Sequence, residues 1–127
     1  MITGIVQADE ASIRLQVRGP GGREREIEAV VDTGFTGSLT LPPSLVAALR
    51  LRWRKLDRGI LADGSECVFD VYEAEVVWDG RRKSVLITKA EATPLVGMTL
   101  LNGYQLTMQV RTGGKVTIKP LPRRRRV

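Results

Sequence analysis

The chain has 127 residues, 43% of them hydrophobic and 5% aromatic, a composition typical of one globular domain with a core of Val, Leu and Ile. It contains no histidine and a single cysteine, Cys67, which excludes Ser–His and Cys–His nucleophile pairs, Cys/His structural zinc sites and intrachain disulfides. Residues 1–122 carry 16 basic and 14 acidic residues, whereas four arginines cluster in residues 123–127. We expect one domain over residues 1–122, followed by a solvated basic tail.

The N-terminal stretch MITGIVQADE lacks the basic start and apolar block of a signal peptide. No apolar run approaches the roughly 20 residues that span a bilayer. A single cysteine also fits a reducing compartment. We therefore expect a cytoplasmic protein that does not associate with membranes.

The first half of the chain predicts a hairpin, a short strand and a helix. SIRLQVR at residues 12–18 alternates apolar and polar side chains, as a half-buried strand does. GPGG at residues 19–22 predicts a turn, and REREIEAVV then predicts a strand that becomes apolar as it approaches Asp32. SLTL at residues 38–41 predicts a short strand, and PPSLVAALRL predicts one brief helix.

The middle of the chain predicts two long arms joined at Asp63 and Gly64. An Asp-Gly pair between strands favours a type I′ turn, which requires positive φ at both central residues. Asp79 and Gly80 predict a second tight turn before the strand RRKSVLIT. Cys67 is expected to be a small buried side chain, and Trp53 and Trp78 are expected in the core or a cleft wall.

The last part of the chain predicts a short helical segment after Gly97, with Gly103 capping its C-terminus. QLTMQV and KVTIKP flank RTGG and predict a final hairpin. Taken together, these patterns predict a mostly β domain with one or two short helices.

Asp32 is the carboxylate with the most unusual sequence context. Three apolar residues, Ala29, Val30 and Val31, precede it, and Thr33 and Gly34 follow. A carboxylate at the end of a buried strand is either an Asx turn to its own backbone or a functional group. The tripeptide alone favours the Asx turn.

Two stretches together resemble the retropepsin-like branch of the aspartic proteases, in particular its small single-domain bacterial and archaeal members. They are VVDTGFTGSLTLP at residues 30–42 and PLVG at residues 94–97, with a glycine-tipped hairpin between them. The resemblance covers most of residues 5–120. It implies a closed, retropepsin-like β-barrel with one or two short helices.

The same resemblance implies an aspartic endopeptidase whose catalytic residues are Asp32, Thr33 and Gly34. Because the chain has only one Asp-Thr-Gly, the catalytic pair requires Asp32 from each of two copies in a homodimer. The expected partners are a second copy and a peptide or protein substrate. Neither a metal nor an organic cofactor is implied.

The resemblance also assigns residues around the catalytic pair. Phe35 stands where many viral members carry alanine, so it either narrows the cleft or packs into the dimer. The resemblance assigns the hairpin tip as a flap under which substrate would bind. The same residues fit a plain hairpin without that role equally well. The loop beneath the site is formed by Leu95, Val96 and Gly97, and the flap by Ala62, Asp63, Gly64 and Ser65.

Two other functions agree with the same sequence. The fold could serve as a catalytically silent, dimeric module that binds peptides or assembles complexes, because a fold does not fix a function. Less favoured is a nucleic-acid binder that uses the arginines of residues 123–126.

Overall fold

The computed structural model describes residues 1–123, which form ten strands and two short α-helices. A 3-10 turn, Pro20–Gly22, joins the second and third strands. Apart from Arg123, the predicted basic tail lies outside the described residues. The helices are α1 (Pro43–Ala48) and α2 (Met98–Leu101), and the strands are β1 (Ile2–Gln7), β2 (Glu10–Arg18), β3 (Glu24–Val31), β4 (Leu39–Leu41), β5 (Arg52–Ile60), β6 (Glu66–Trp78), β7 (Arg81–Lys89), β8 (Leu95–Val96), β9 (Tyr104–Met108) and β10 (Lys115–Pro120).

The predicted class, mostly β with one or two short helices, is confirmed. Strand β1 was not predicted. It turns into β2 through Ala8 and Asp9, which both adopt positive φ in a two-residue connection between Gln7 and Glu10. Such a turn is usually marked by an Asn-Gly, Asp-Gly or Gly-Gly pair. Because Ala8-Asp9 is none of these pairs, the sequence does not mark the hairpin.

Hydrogen bonds join the strands in the order β5-β6-β7-β4-β8-β3-β2-β1-β10-β9. An additional antiparallel pairing between β6 and β2, centred on Val76 and Val17, closes six of these strands into a ring. Side chains from the ring and from the strands and helices around it share one core, in which Leu39, Ile87 and Val96 are fully buried. Neither α-helix in the described part of the chain is long and apolar enough to cross a membrane.

The hairpin of β5 and β6 extends beyond this ring. Strand β6 pairs with β7 from Val71 onward, whereas its first residues, from Glu66 to Asp70, pair with β5 alone. Trp78, at the other end of β6, is buried as predicted and stacks edge-on against Tyr104. The prediction of a buried Cys67 is wrong, because this part of β6 has no third strand beside it and leaves the thiol half-exposed. Trp53 is likewise 55% exposed and is not a core residue.

The two Asp-Gly turns differ from each other. Asp79 and Gly80 both have positive φ and form the two-residue turn that such a pair favours. At the β5–β6 tip only Gly64 has positive φ, and Leu61 and Ser65 enclose a three-residue loop. The type I′ prediction there is wrong, because the Asp63 carboxylate accepts bonds from the Ser65 amide (2.9 Å) and hydroxyl (2.6 Å) and stabilises the longer loop.

Candidate active site

Asp32 lies directly beyond the end of β3, beside β8. The two strands run parallel, with Val31 opposite Val96. The Asp32 amide extends this pairing by donating to the Val96 carbonyl at 2.9 Å. The structure thus brings together two segments that lie more than 60 residues apart in the chain, and it leaves Asp32 half-buried.

The Asp32 carboxylate turns the chain at Gly34. Its Oδ1 accepts the Gly34 amide at 2.8 Å, and the Asp32 carbonyl accepts the Phe35 amide at 3.2 Å. This is the Asx turn that the tripeptide alone favours. It uses only one of the two carboxylate oxygens, so it is compatible with a chemical role for Asp32. Thr33 and Gly34 are exposed beside it.

Phe35 folds back onto two glycines. A Cβ placed on Gly37 would come within 2.5 Å of the Phe35 ring, and the three nearest atoms all belong to that ring. A Cβ on Gly97 would overlap both the Phe35 ring and the carbonyl oxygen of Gly37. Phe35 therefore packs against Gly97, the last residue of the predicted loop Leu95, Val96 and Gly97, and the absence of side chains at positions 37 and 97 makes room for it.

A set of hydrogen bonds ties residues 35–38 to the start of α2. The amides of Gly97, Met98 and Thr99 donate to the carbonyls of Ser38 (2.9 Å), Phe35 (2.8 Å) and Gly37 (3.1 Å). The Thr99 hydroxyl donates to the remaining carbonyl, that of Thr36, at 2.5 Å. All four carbonyls of residues 35–38 are therefore held by three consecutive residues.

The predicted flap residues Ala62, Asp63, Gly64 and Ser65 form the tip of the β5–β6 hairpin. The Leu61 amide donates to the Ser65 carbonyl at 2.8 Å, and the Gly64 amide donates to the Leu61 carbonyl at 2.9 Å. Among the hydrogen bonds of residues 1–123, none joins this tip to residues 32–38. Within the single chain, the predicted flap and the predicted catalytic loop are therefore not hydrogen-bonded to each other.

No protein-family model and no curated protein matches the sequence. Solved structures match the fold, and two of them are proteases. A retropepsin-like aspartic protease from Rickettsia conorii superposes with a TM-score of 0.58 at 17% identity, over 95% of this chain and 91% of its own. The EIAV protease, solved in complex with the inhibitor HBY-793, superposes with a TM-score of 0.54 at 13% identity, over 74% of this chain and 86% of its own.

The chain has a retropepsin-like fold. At these identities the likeness is one of architecture, and it confirms the fold that the two sequence motifs predicted. Within this retropepsin-like fold, Asp32 and Gly97 stand on adjacent segments that are bonded to each other.

A polar cluster lies where the hairpin leaves the ring of this retropepsin-like fold. The Trp53 indole donates to Asp70 at 3.0 Å, and the Lys89 ammonium lies 3.4 Å from the second oxygen of Asp70. The indole bond is the main cause that lowers the pKa of Asp70, with Lys89 adding to it. Asp70 in turn raises the pKa of Lys89, whose ammonium also lies over the Tyr72 ring. This cluster links β5, β6 and β7 at the base of the hairpin.

Sequence reasoning missed Gly37, Thr99 and this polar cluster. Gly37 lies two residues after Phe35, and Thr99 lies two residues after Gly97. Segments this short contain no hydrophobic periodicity that would single out either residue. The cluster joins Trp53, Asp70 and Lys89 across three strands, so only the strand register reveals it. In residues 1–123, no three acidic or cysteine side chains come close enough together to hold a metal ion.

Proposed function

We propose that the protein is an aspartic endopeptidase that acts as a homodimer, with Asp32 of each copy forming the catalytic pair. The observation that carries this proposal is the position of Asp32. Its half-buried carboxylate stands at the end of β3 in an Asp-Thr-Gly loop, within a fold shared with two aspartic proteases.

The proposed chemistry follows from placing two such carboxylates in contact. Like charges at that distance cannot both be ionised, so the pair shares one proton. The ionised Asp32 takes a proton from water, whose oxygen attacks the peptide carbonyl carbon, while the protonated Asp32 of the second copy gives its proton to the carbonyl oxygen. The C–N bond then breaks as the nitrogen takes up the proton held by the first Asp32, while the second Asp32 recovers a proton from a hydroxyl of the tetrahedral intermediate, which releases an acid and an amine. No cofactor takes part in this route.

Two features support a second copy as the partner. Strand β9 stands at one end of the sheet order, so its outer edge carries backbone groups that another strand can pair with. Apolar side chains are exposed around the same terminal hairpin, including Met108 (39%) and Val110 (76%). We expect the β9–β10 hairpin to supply much of the dimer interface.

The inner face of the β5–β6 hairpin supports an extended peptide as substrate. The strand register places Leu56, Val68 and Ile60 on the face that Tyr72 presents to the core, and all three side chains are exposed in the single chain. A peptide strand beneath the hairpin would cover these side chains and could bond to the backbone of residues 62–65.

Phe35 folds away onto its two glycines, which leaves more room beside Asp32 than an extended ring would. We expect this activity in the cytoplasm.

The proteolysis assay uses a denatured protein as substrate across acidic to neutral pH. We expect cleavage that is strongest under acidic conditions, since the shared proton must be retained, and that is blocked by a statine-type transition-state mimic. Asp32→Asn should reduce the rate by about 10³-fold or more. Asp9→Asn is the matched control, because Asp9 is exposed in a turn where Asn also tolerates positive φ.

The outcomes separate the proposal from its rivals. If wild-type and Asp32→Asn proteins cleave equally, or if light scattering finds only monomer at every concentration, the proposed mechanism fails. A stable dimer that binds peptides without cleaving them would instead identify a silent binding module. Nucleic-acid affinity that falls steeply with salt and disappears on deletion of residues 123–127 would identify the third function.

A further inference from the structure

We propose that Thr99 is a positioning residue for Asp32, an inference that rests on the proposed peptidase function. Among the hydrogen bonds of residues 1–123, none joins the Thr99 hydroxyl to Asp32. Thr99 acts through the loop of residues 35–38, which follows the Asp-Thr-Gly segment directly. Its hydroxyl donates to the Thr36 carbonyl at 2.5 Å while its amide donates to the Gly37 carbonyl at 3.1 Å.

Thr99 differs chemically from the other two residues that hold this loop. Gly97 and Met98 bond to Ser38 and Phe35 with main-chain amides, which almost any residue would supply. The Thr36 carbonyl is bonded by a side-chain hydroxyl instead. Of the four anchoring bonds, this is the one that a substitution can remove without changing the backbone.

The path from this bond to the carboxylate is short. Thr36 follows Phe35, whose amide donates to the Asp32 carbonyl, and Gly34 donates to Asp32 Oδ1. A shift of the Thr36 peptide group would therefore change the turn that orients the carboxylate. Small errors in the placement of reacting groups reduce rates strongly, up to about 10²-fold for a displacement of 1 Å.

The same bond should contribute little to global stability. Thr36 and Thr99 are both exposed, so water replaces the lost hydroxyl at the carbonyl. The effect of its removal is then local, which separates a positioning role from a general structural one.

The kinetic test compares Thr99→Val, which removes the donor but keeps the shape, with Thr99→Ser, which keeps the donor. We expect kcat to fall about tenfold in Thr99→Val with KM and dimer mass unchanged, and to return close to the wild-type value in Thr99→Ser. Thr3→Val is the matched control, an exposed threonine on β1 with strands on both sides. If Thr99→Val behaves like wild type, or if Thr99→Ser is equally impaired, the inference is overturned.

Amide hydrogen exchange on the same proteins gives a readout that does not depend on activity. We expect faster exchange over residues 32–38 in Thr99→Val, but not in Thr99→Ser or Thr3→Val. Unchanged exchange in Thr99→Val would overturn the positioning role whatever the enzyme does. If the wild type cleaves no substrate, the proposed function fails while exchange still decides the role of Thr99. Should Thr99→Val fold poorly, Thr99→Ala removes the same hydroxyl and takes its place.

Discussion

The Asp32 loop and the tip of the β5–β6 hairpin are held in opposite ways. The loop is bonded through all four carbonyls of residues 35–38 to a segment some 60 residues away, and its glycines make room for close packing. Among the hydrogen bonds of residues 1–123, those of the tip lie within residues 61–65, and its neighbour Ile60 is 78% exposed. An enzyme must keep its catalytic groups fixed while another segment opens to admit substrate. The segments that open are those with few tertiary contacts, so a firmly bonded loop and a loosely bonded tip suit these two tasks.

Adding one methyl group to each region tests this difference most severely. We expect Gly97→Ala to lower the free energy of unfolding by about 3 kcal/mol, because its Cβ would overlap backbone at Gly37 as well as the Phe35 ring. Gly64→Ala should lower it by only about 1 kcal/mol, because position 64 has open space and the strain comes from its positive φ alone.

Urea unfolding at one fixed protein concentration measures both variants, since dimerisation would make the result depend on concentration. Equal losses for the two variants would mean that the loop is no more tightly packed than the tip.

A double-mutant cycle within the loop should give a smaller effect. Gly37→Ala is expected to lower the free energy of unfolding by about 1 kcal/mol, because its nearest obstacle is the Phe35 ring. In a Phe35→Ala background that obstacle is gone, so the alanine at position 37 should cost much less. We expect a coupling energy of about 1 kcal/mol between the two positions.

The matched arm of the cycle places Gly97→Ala in the same Phe35→Ala background. That variant should stay destabilised, because the Gly37 carbonyl still occupies the space. Additive losses at positions 35 and 37 would contradict the packing described for Phe35.

The smallest expected effect lies at the hairpin tip. The Ser65 hydroxyl, followed by the Ser65 amide, lowers the pKa of Asp63 below its ordinary value of 3.8. Ionised Asp63 therefore stabilises the tip at pH values above 3.8. This contribution to the stability of the tip is lost as the pH falls through the lowered pKa. Ser65→Ala should move the pKa of Asp63 back toward 3.8 with little change in global stability.

An NMR titration of the Asp63 carboxyl carbon measures this shift directly. Ser44→Ala, an exposed serine on α1, is the control and should leave the titration of Asp63 unchanged. An Asp63 titration that is the same with and without the Ser65 hydroxyl would mean that the bond does not form in solution.

The two regions also differ in how far the sequence predicts them. The resemblance of VVDTGF and PLVG to the retropepsin-like proteases predicts that these two segments are adjacent, and the close packing at Gly97 agrees with it. The orientation of Phe35 and the bond from Thr99 could not be predicted, since each depends on a partner that only the folded sheet brings near. At the tip, Asp-Gly predicts a turn but not its length, which the bonds from the Ser65 amide and hydroxyl to the Asp63 carboxylate decide.

The packing of Phe35 on Gly37 also constrains how this sequence can diverge. A side chain at position 37 costs less stability once position 35 has become small, so the two substitutions are favoured in that order or together. Position 97 gains no such freedom, because backbone as well as the ring fills its surroundings. Among distant relatives we therefore expect residues 35 and 37 to vary as a pair while the glycine of PLVG is retained.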